Sequence, residues 1–429
     1  MNGHLPRIAL AICLLAAAPS WAQPVSQDDI NLERGLIGTG NAALALPALQ
    51  GLVTSNAGNP ELWFLLGMAQ RATGDEAAAA TSFTRVSELA PDQPRALLEL
   101  GTSLAALNRF DDAYDTFNRA LILADDRIVR RNIRRALAAL DRKRVLSISL
   151  STSAQPDTNA NSASGSKVVT IGGIPFVLSK PATSNRSLGL GVDAAARYAP
   201  YLTTTLRLVS DANFTGVNFF HTCCSDDTAT LASGPGWFDG AYHVVTQAYL
   251  RRRYFDGLPY SEERGGRVEA GWENSDLSLS AATEAGSIKL LGPHVPGSVA
   301  RGQLGGQVAV SSGLTVGAIL RVERDDYPIP SQSFTAGSGE VRLMFTGPFE
   351  LPMQVWGVAL ERQFQGATLT SPGPRLDHLW GGGWMVDLDF LNVWGMSPQI
   401  GVTYISQSSN DTLGRFHRVT GIVGLSKGL

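Results

Sequence analysis

Asp377 and His378 form the only adjacent acid–imidazole pair in the chain, and such pairs are raw material for general acid–base catalysis. A catalytic unit also needs a nucleophile or activated water and an orienting group in contact. Here the pair sits in a stretch that alternates apolar and polar residues, and neighbours along a strand point to opposite faces. His221, His243, His294 and His417 are scattered through loops and strand ends. No catalytic residue is therefore assigned, and the chain is not expected to be an enzyme. Gly381-Gly382-Gly383 has no helix after it, so it reads as a bent strand and not as a phosphate cradle. Cys223 and Cys224 have no His or Cys partner at metal-like spacing. They are expected to form a vicinal disulfide or to pair elsewhere, with no metal and no cofactor.

A different set of polar residues carries more information. Arg251, Arg253, Arg267, Glu269, Glu273, Arg321, Asp387 and Asp389 sit at alternate positions in strand-like segments. All eight are expected to point inward, where charges of both signs would hold loops by ion pairs or line a hydrated passage.

The elements that must position them run from Val145 to Leu429. In Leu314–Val322 the residues Leu314, Val316, Ala318, Leu320 and Val322 share one face, with Thr315, Gly317, Ile319 and Arg321 on the other. Trp384, Val386, Leu388 and Phe390 likewise oppose Asp387 and Asp389. A strand tolerates carboxylates opposite a wall of Trp, Val, Leu and Phe when one side is wet and the other meets lipid. Repeated through the segment, this reads as an antiparallel transmembrane β-barrel. Expected strands are Val145–Ser151, Leu188–Tyr198, Tyr201–Asp211, Tyr242–Tyr254, Arg264–Asn274, Asp276–Ser287, Gly302–Val310 and Leu314–Asp325. Ser338–Phe345, Leu351–Gln363, Leu376–Phe390, Met396–Gln407 and Phe416–Lys427 complete the set. Because bacterial single-chain barrels favour even counts, one further strand is expected, giving about 14. Long connections are expected at Ala212–Gly240 and Gly286–Arg301, outside the cell.

Upstream the period becomes helical and a repeat appears. Trp63, Leu66 and Gly67 return 34 residues later as Leu97, Leu100 and Gly101; Ala79 and Phe83 return as Ala113 and Phe117. The first unit ends at Pro91. This is the tetratricopeptide pattern, departing from it at Gln70 and Leu104, where a tyrosine is usual. Small Gly67 and Ala79 would let paired helices approach, while Trp63 and Phe83 fill the space between units. A degraded third unit is expected over Asp28–Pro60, and a last helix over Ala120–Lys143. That helix is basic, with Arg127, Arg130, Arg131, Arg134, Arg135, Arg142 and Lys143 followed by Arg144. It would rest on lipid headgroups or present a solvated capping face; both readings stay open.

Residues 1–22 read as a signal peptide, with Arg7 before an apolar run and Ser20-Trp21-Ala22 at the cleavage site. The fold class is thus α + β in two domains: a periplasmic helical solenoid over 23–144 and an outer-membrane barrel over 145–429. Charged residues are only 17% and glycines number 45, as an apolar outer band and sharp bends require. A formal net charge of −3 offers no electrostatic footprint for nucleic acid.

Four segments and the repeats then carry a resemblance. Pro156-Asp157-Thr-Asn159-Ala-Asn161-Ser-Ala163 follows the first strand, and Thr170-Ile-Gly172-Gly173-Ile-Pro175-Phe176 comes after it. With Arg253–Tyr260, the closing Val423–Lys427 and the repeats, they resemble the Slam family, the surface lipoprotein assembly modifiers. The resemblance spans nearly the whole mature chain in the same domain order. It implies an outer-membrane translocon that moves surface lipoproteins, or in some relatives soluble secreted proteins, from periplasm to cell surface. The partners implied are that client, a periplasmic chaperone, the barrel-assembly machinery and outer-membrane lipid, with the translocon itself a monomer. Lys427 departs from the aromatic ending usual in barrel C-termini, and implies less efficient engagement with that machinery. The competing reading is a barrel porin with tetratricopeptide repeats that exports an exopolysaccharide. That porin would have a longer array and a lumen of one charge sign.

Overall fold

The computed structural model describes residues 26–429 apart from 125–126, 141–142, 172–173, 180–181, 221–222, 275, 312, 389, 392, 394–395 and 429. The expected signal peptide, residues 1–22, lies outside the described residues, as do Gly172, Gly173 and Asp389. The chain divides into two compact units, Met1–Leu140 and Asp141–Leu429.

The first unit is helical: α1 (Gln27–Gly38), α2 (Ala42–Ser55), α3 (Pro60–Ala72), α4 (Glu76–Leu89), α5 (Pro94–Ala106), α6 (Phe110–Leu123) and α7 (Arg127–Leu140). Its boundaries follow local chemistry. The Asn59 side chain accepts the Glu61 N–H at the start of α3, and Pro60 fits the first helical turn. Asp75 caps α4 by accepting the Ala78 N–H, after a turn in which Gly74 takes φ +89°. The single helix expected over Ala120–Lys143 is instead two, because Ala124 is extended. Arg130 Nη1 donates to the Leu121 and Ala124 carbonyls (3.3 and 3.1 Å), satisfying acceptors that the end of α6 leaves open. No helix of the described residues is long and apolar enough to cross a membrane.

The second unit is a closed antiparallel barrel of 14 strands. They are β1 (Leu146–Asp157), β4 (Ser187–Tyr198), β5 (Leu206–Phe219), β6 (Asp226–Asp239), β7 (Tyr242–Phe255), β8 (Leu258–Glu273), β9 (Leu277–Leu290) and β10 (Val295–Ser311). The circuit continues through β11 (Leu314–Asp326), β12 (Phe334–Thr346), β13 (Pro352–Ala367), β14 (Pro374–Asp387), β15 (Ser397–Ser409) and β16 (Phe416–Gly428), which closes on β1. A separate hairpin, β2 (Val168–Ile171) with β3 (Ile174–Val177), lies in the connection between β1 and β4.

Four expectations need correction. The region 212–240 is not a loop: it holds the rest of β5 and all of β6, the strand missing from the expected set. Gly234 and Pro235 hid it, since both residues are unusual inside strands. Here a side chain at 234 would strike the Thr246 carbonyl at 2.0 Å. The expected strand Tyr201–Asp211 begins only at Leu206, because 199–205 folds into a rim turn closed by the Leu202 N–H to Leu206 carbonyl bond. The long connection expected at Gly286–Arg301 shrinks to residues 291–294, with β9 and β10 running on past Lys289 and Pro296. Finally β14 ends at Asp387, so Leu388 and Phe390 lie beyond the strand.

Direct cross-strand partners share a face, which fixes the two sides of the wall. Leu304, Leu320 and Gly339 are partners in β10, β11 and β12, and both leucines are 60% exposed. The outward set also includes Val322, Val341, Leu231, Leu250, Trp380, Trp384 and Val423, all exposed. Trp380 packs on Tyr404 of β15 at 5.3 Å between ring centroids. A wall of unburied Leu, Val and Trp on strands of 12–17 residues suits a hydrocarbon surround, which ~9–11 tilted residues suffice to cross.

Candidate functional site

The inner face is a ladder of arginines and carboxylates. Glu263 of β8 accepts from Arg251 of β7 and Arg301 of β10, both at 2.8 Å. Arg251 also reaches Glu284 of β9 at 3.1 Å, and Arg301 reaches Glu323 of β11 at 2.7 Å. Arg253 holds Asp226 through Nε and Nη2 (2.8 and 2.5 Å) and stacks over Tyr260. Further round, Glu340 of β12 is shared by Arg342 (2.6 Å) and Arg321 (3.3 Å), and Arg321 also meets Gln303 at 3.1 Å. These ion pairs join five carboxylates to five arginines, so no one charge sign dominates this wall. Both Glu263 and Glu284 are largely covered, and charges taken from water are stable only when paired this closely.

The other inward candidates are spread through the barrel. Arg267 and Glu269 bond at 2.9 Å, with His243 at 3.8 Å from Glu269. Asp387 accepts from Gln399 at 2.6 Å, and Glu273 is the last residue of β8. Glu263, Glu284, Arg301 and Glu323 were missed in the sequence. The connection expected at Gly286–Arg301 takes in Arg301, and β8, which contains Glu263, starts at Leu258, six residues before the expected Arg264. Alternation alone marks Glu284, which shares the inward face with Arg267, its partner across β8 and β9.

Asp377 and His378 do not meet. Asp377 is fully buried against Arg375 (2.8 Å), while His378 turns to the other face, 3.4 Å from Glu361. Cys223 and Cys224 are joined to each other. Asp256 in the neighbouring turn accepts the N–H groups of Cys224 and Ser225. With Asp256 they form the one acid–thiol group compact enough for a metal among the described residues, and the disulfide occupies both sulfurs.

The Pro156–Asn161 segment ties the two ends of the barrel sequence together. Asp157 accepts from Arg418 Nε and Thr420 Oγ1, both at 2.6 Å, and its side chain is fully buried. Asn159 Nδ2 donates to the carbonyls of Ala163 (2.9 Å) and His417 (3.1 Å). Asn161 clasps the return limb through the Thr183 carbonyl and the Asn185 N–H (2.8 and 3.1 Å). Pro175 pairs with Thr170 in the small hairpin.

In the helical unit the repeat positions form the packing. A side chain on Gly67 would lie 2.7 Å from the Phe83 ring, and one on Gly101 2.5 Å from the Phe117 ring. Each glycine thus admits the aromatic ring of the second helix in its own pair. Leu66, Leu97, Ala79 and Ala113 are buried with them, and Pro91 sits in the turn before α5. Trp63 packs on the cluster shared by α1, α2 and α3, its Nε1 donating to the Ala57 carbonyl at 2.9 Å. Where tyrosine is usual, Gln70 accepts from the buried Ser82 hydroxyl (2.6 Å). The corresponding Leu104 needs no such partner, because Thr116 turns its hydroxyl to the Asp112 carbonyl.

One face of this unit is made by the first helices of successive pairs. Arg34 of α1 bonds Glu61 of α3, and Arg71 of α3 bonds Glu99 of α5. Between these pairs lie half-buried Phe64, Met68 and Leu98, with Arg95 over the Phe64 ring at 5.7 Å. An apolar strip bordered by paired charges can take an extended peptide or a helix by its apolar side chains.

A tetratricopeptide-repeat family profile matches residues 34–94 and 74–128. No curated protein matches the chain. Among solved structures, it is similar to the type III secretion translocator chaperone SycD of Yersinia enterocolitica. Identity is 17%, covering 28% of this chain and 88% of that one, with a TM-score of 0.27. PcrH of Pseudomonas aeruginosa is 18% identical over 28% and 98% of the two chains, TM-score 0.27. The profile and the geometry define a tetratricopeptide helical domain linked to a closed 14-stranded β-barrel.

Proposed function

We propose that this protein is an outer-membrane translocon that delivers a surface lipoprotein, or a related secreted protein, from periplasm to cell surface. The helical domain, residues 23–144, captures the client or the chaperone delivering it on the strip of Phe64, Met68 and Leu98. The barrel, residues 145–429, then supplies the hydrophilic route. The observation that carries the reading is the pairing, in one chain, of a peptide-binding type of helical repeat with a barrel that is apolar outside and of mixed charge within. Mixed charge favours a polypeptide over an acidic polysaccharide, whose passage a lumen of one sign would serve better. The resemblance to the Slam family carries the lipoprotein part of the reading.

Deleting the gene and comparing surface-exposed proteins by protease shaving, with surface polysaccharide stained in parallel, tests this. Loss of one or a few surface proteins with polysaccharide unchanged is the expected result. The reverse pattern would replace it with the porin reading.

A further inference from the structure

We propose that the seam between β1 and β16 is a lateral gate, at which the barrel wall parts to pair with an extended amphipathic polypeptide. Thirteen of the fourteen neighbouring strand pairs are joined by a connecting segment at one rim, and only β1 and β16 are joined at neither. Their ladder is also incomplete. Against β4, β1 is paired at every position from Leu146 to Asp157. Against β16 it is paired from Ser149–Gly428 to Ala154–Val423, and then only at Asp157–Thr420. The missing rungs fall at Gln155 and Pro156, and Pro156 has no N–H to donate. Opposite it stands Gly421, where a side chain would press on the proline ring at 3.0 Å. Pro235 leaves a similar gap between β6 and β7, but the two-residue turn 240–241 holds those strands together.

Beyond the gap, side chains take over from the ladder. Asp157 binds Arg418 and Thr420, the Thr158 N–H donates to the Val419 carbonyl (3.1 Å), and the Val419 N–H donates to Thr158 Oγ1 (2.9 Å). This clasp closes one end of the seam. The other end is a backbone ladder whose inward rungs join small residues, Ser149–Gly428, Ser151–Ser426 and Ser153–Gly424, while Leu150–Lys427, Thr152–Leu425 and Ala154–Val423 face outward. Little side-chain packing on the inner face must be lost for it to part, and on the outer face lipid can take the place of the Leu150, Leu425 and Val423 contacts. Parting bares two strand edges, templates for any chain able to add a strand. Bare edges are costly in hydrocarbon, so the open state is minor until such a chain pairs with them. That the pairing chain is an exported client rests on the translocon reading; the opening itself does not.

Two measurements on the full chain test the gate. In lipid nanodiscs, backbone amides of 149–154 and 423–428 are expected to exchange with deuterium at least tenfold faster than those of the β10–β11 seam. Asp157→Asn and Arg418→Gln should raise only the first rate, in barrels that stay folded by heat-modified gel mobility. Equal protection at both seams, unmoved by either variant, would overturn the gate. In cells, Ala154→Cys with Val423→Cys, register partners on the outer face, locks the seam in a Cys223→Ser/Cys224→Ser background. The lock should remove the same surface proteins as gene deletion, with recovery on reduction, while Leu320→Cys with Gly339→Cys should not. Normal surface proteins in the locked strain would overturn the gate as the exit. If deletion itself changes no surface protein, the translocon reading fails and amide exchange alone decides the gate.

Discussion

The two units of this chain answer opposite solvents with the same residue types. In the helical unit Leu49, Leu62, Phe83, Leu97 and Phe117 are wrapped to near-zero exposure, and arginines such as Arg34 and Arg85 lie on the surface. In the barrel Leu304, Leu320, Val322 and Val341 face out uncovered, and Arg251, Arg301 and Glu263 are folded inward. Water drives the first arrangement by expelling apolar area. The second is stable only where the outside is itself apolar and the inside is wet, because lumenal charges such as Arg251, Arg301 and Glu263 keep their partners while the leucines lose nothing to lipid. The same side chain therefore carries opposite consequences on the two sides of residue 141.

The largest test of that contrast is Leu320→Arg, which places a charge in the outward apolar band. It should cost about 2–4 kcal/mol and reduce the heat-modifiable barrel recovered from outer membranes. Leu32→Arg, at an equally exposed leucine of α1, should change stability by less than about 0.5 kcal/mol. Next in size is Gly101→Ala. It drives a methyl group into the Phe117 ring and should lower helical-domain stability by about 1–3 kcal/mol, read from the helical circular-dichroism melt with the barrel signal unchanged. Third, Glu263→Gln removes the acid shared by Arg251 and Arg301. Glu284 and Glu323 remain as partners, so the expected cost in urea unfolding is about 1–2 kcal/mol. Current through planar bilayers should shift toward anion selectivity.

The smallest effect belongs to Glu33 of α1, buried with Oε2 lacking a hydrogen bond. Burial, with Asp29 adding to it, raises its carboxyl above the ordinary range. The folded unit thus holds that proton to higher pH than the unfolded chain, and this residue's contribution to stability falls as pH rises through the carboxylate range. Glu33→Gln should raise the helical melting temperature at pH 7 by about 2–4 °C and give no gain at pH 4.

Much of both units was legible in residue spacing. The 34-residue return of Gly67 and Phe83 at Gly101 and Phe117 is visible because each glycine exists to admit one ring. The alternation in β11 is visible because a strand at the lipid boundary must segregate residues at every step. β6 was not legible: Ala229, Leu231 and Ser233 alternate weakly, and Gly234-Pro235 reads as a turn until Thr246 of β7 is seen pressing on it. The lumenal ladder was half legible for a different reason. Alternation says which residues turn inward, but Arg251 meets Glu284 two strands away, and the register that joins them is set by turn lengths that alternation does not fix. The Asp157–Arg418 clasp lay furthest out of reach, since it closes the barrel between its first and last strands.

Quenching of tryptophan fluorescence by brominated phospholipid tests the inverted wall most directly. In proteoliposomes of the full chain, Trp380→Phe with Trp384→Phe should remove much of the quenchable emission, since both rings face outward. Trp63→Phe in the helical unit, and Trp356→Phe on the inner face over Gly383, should remove almost none. Equal losses from all three variants would contradict an outer surface that meets lipid.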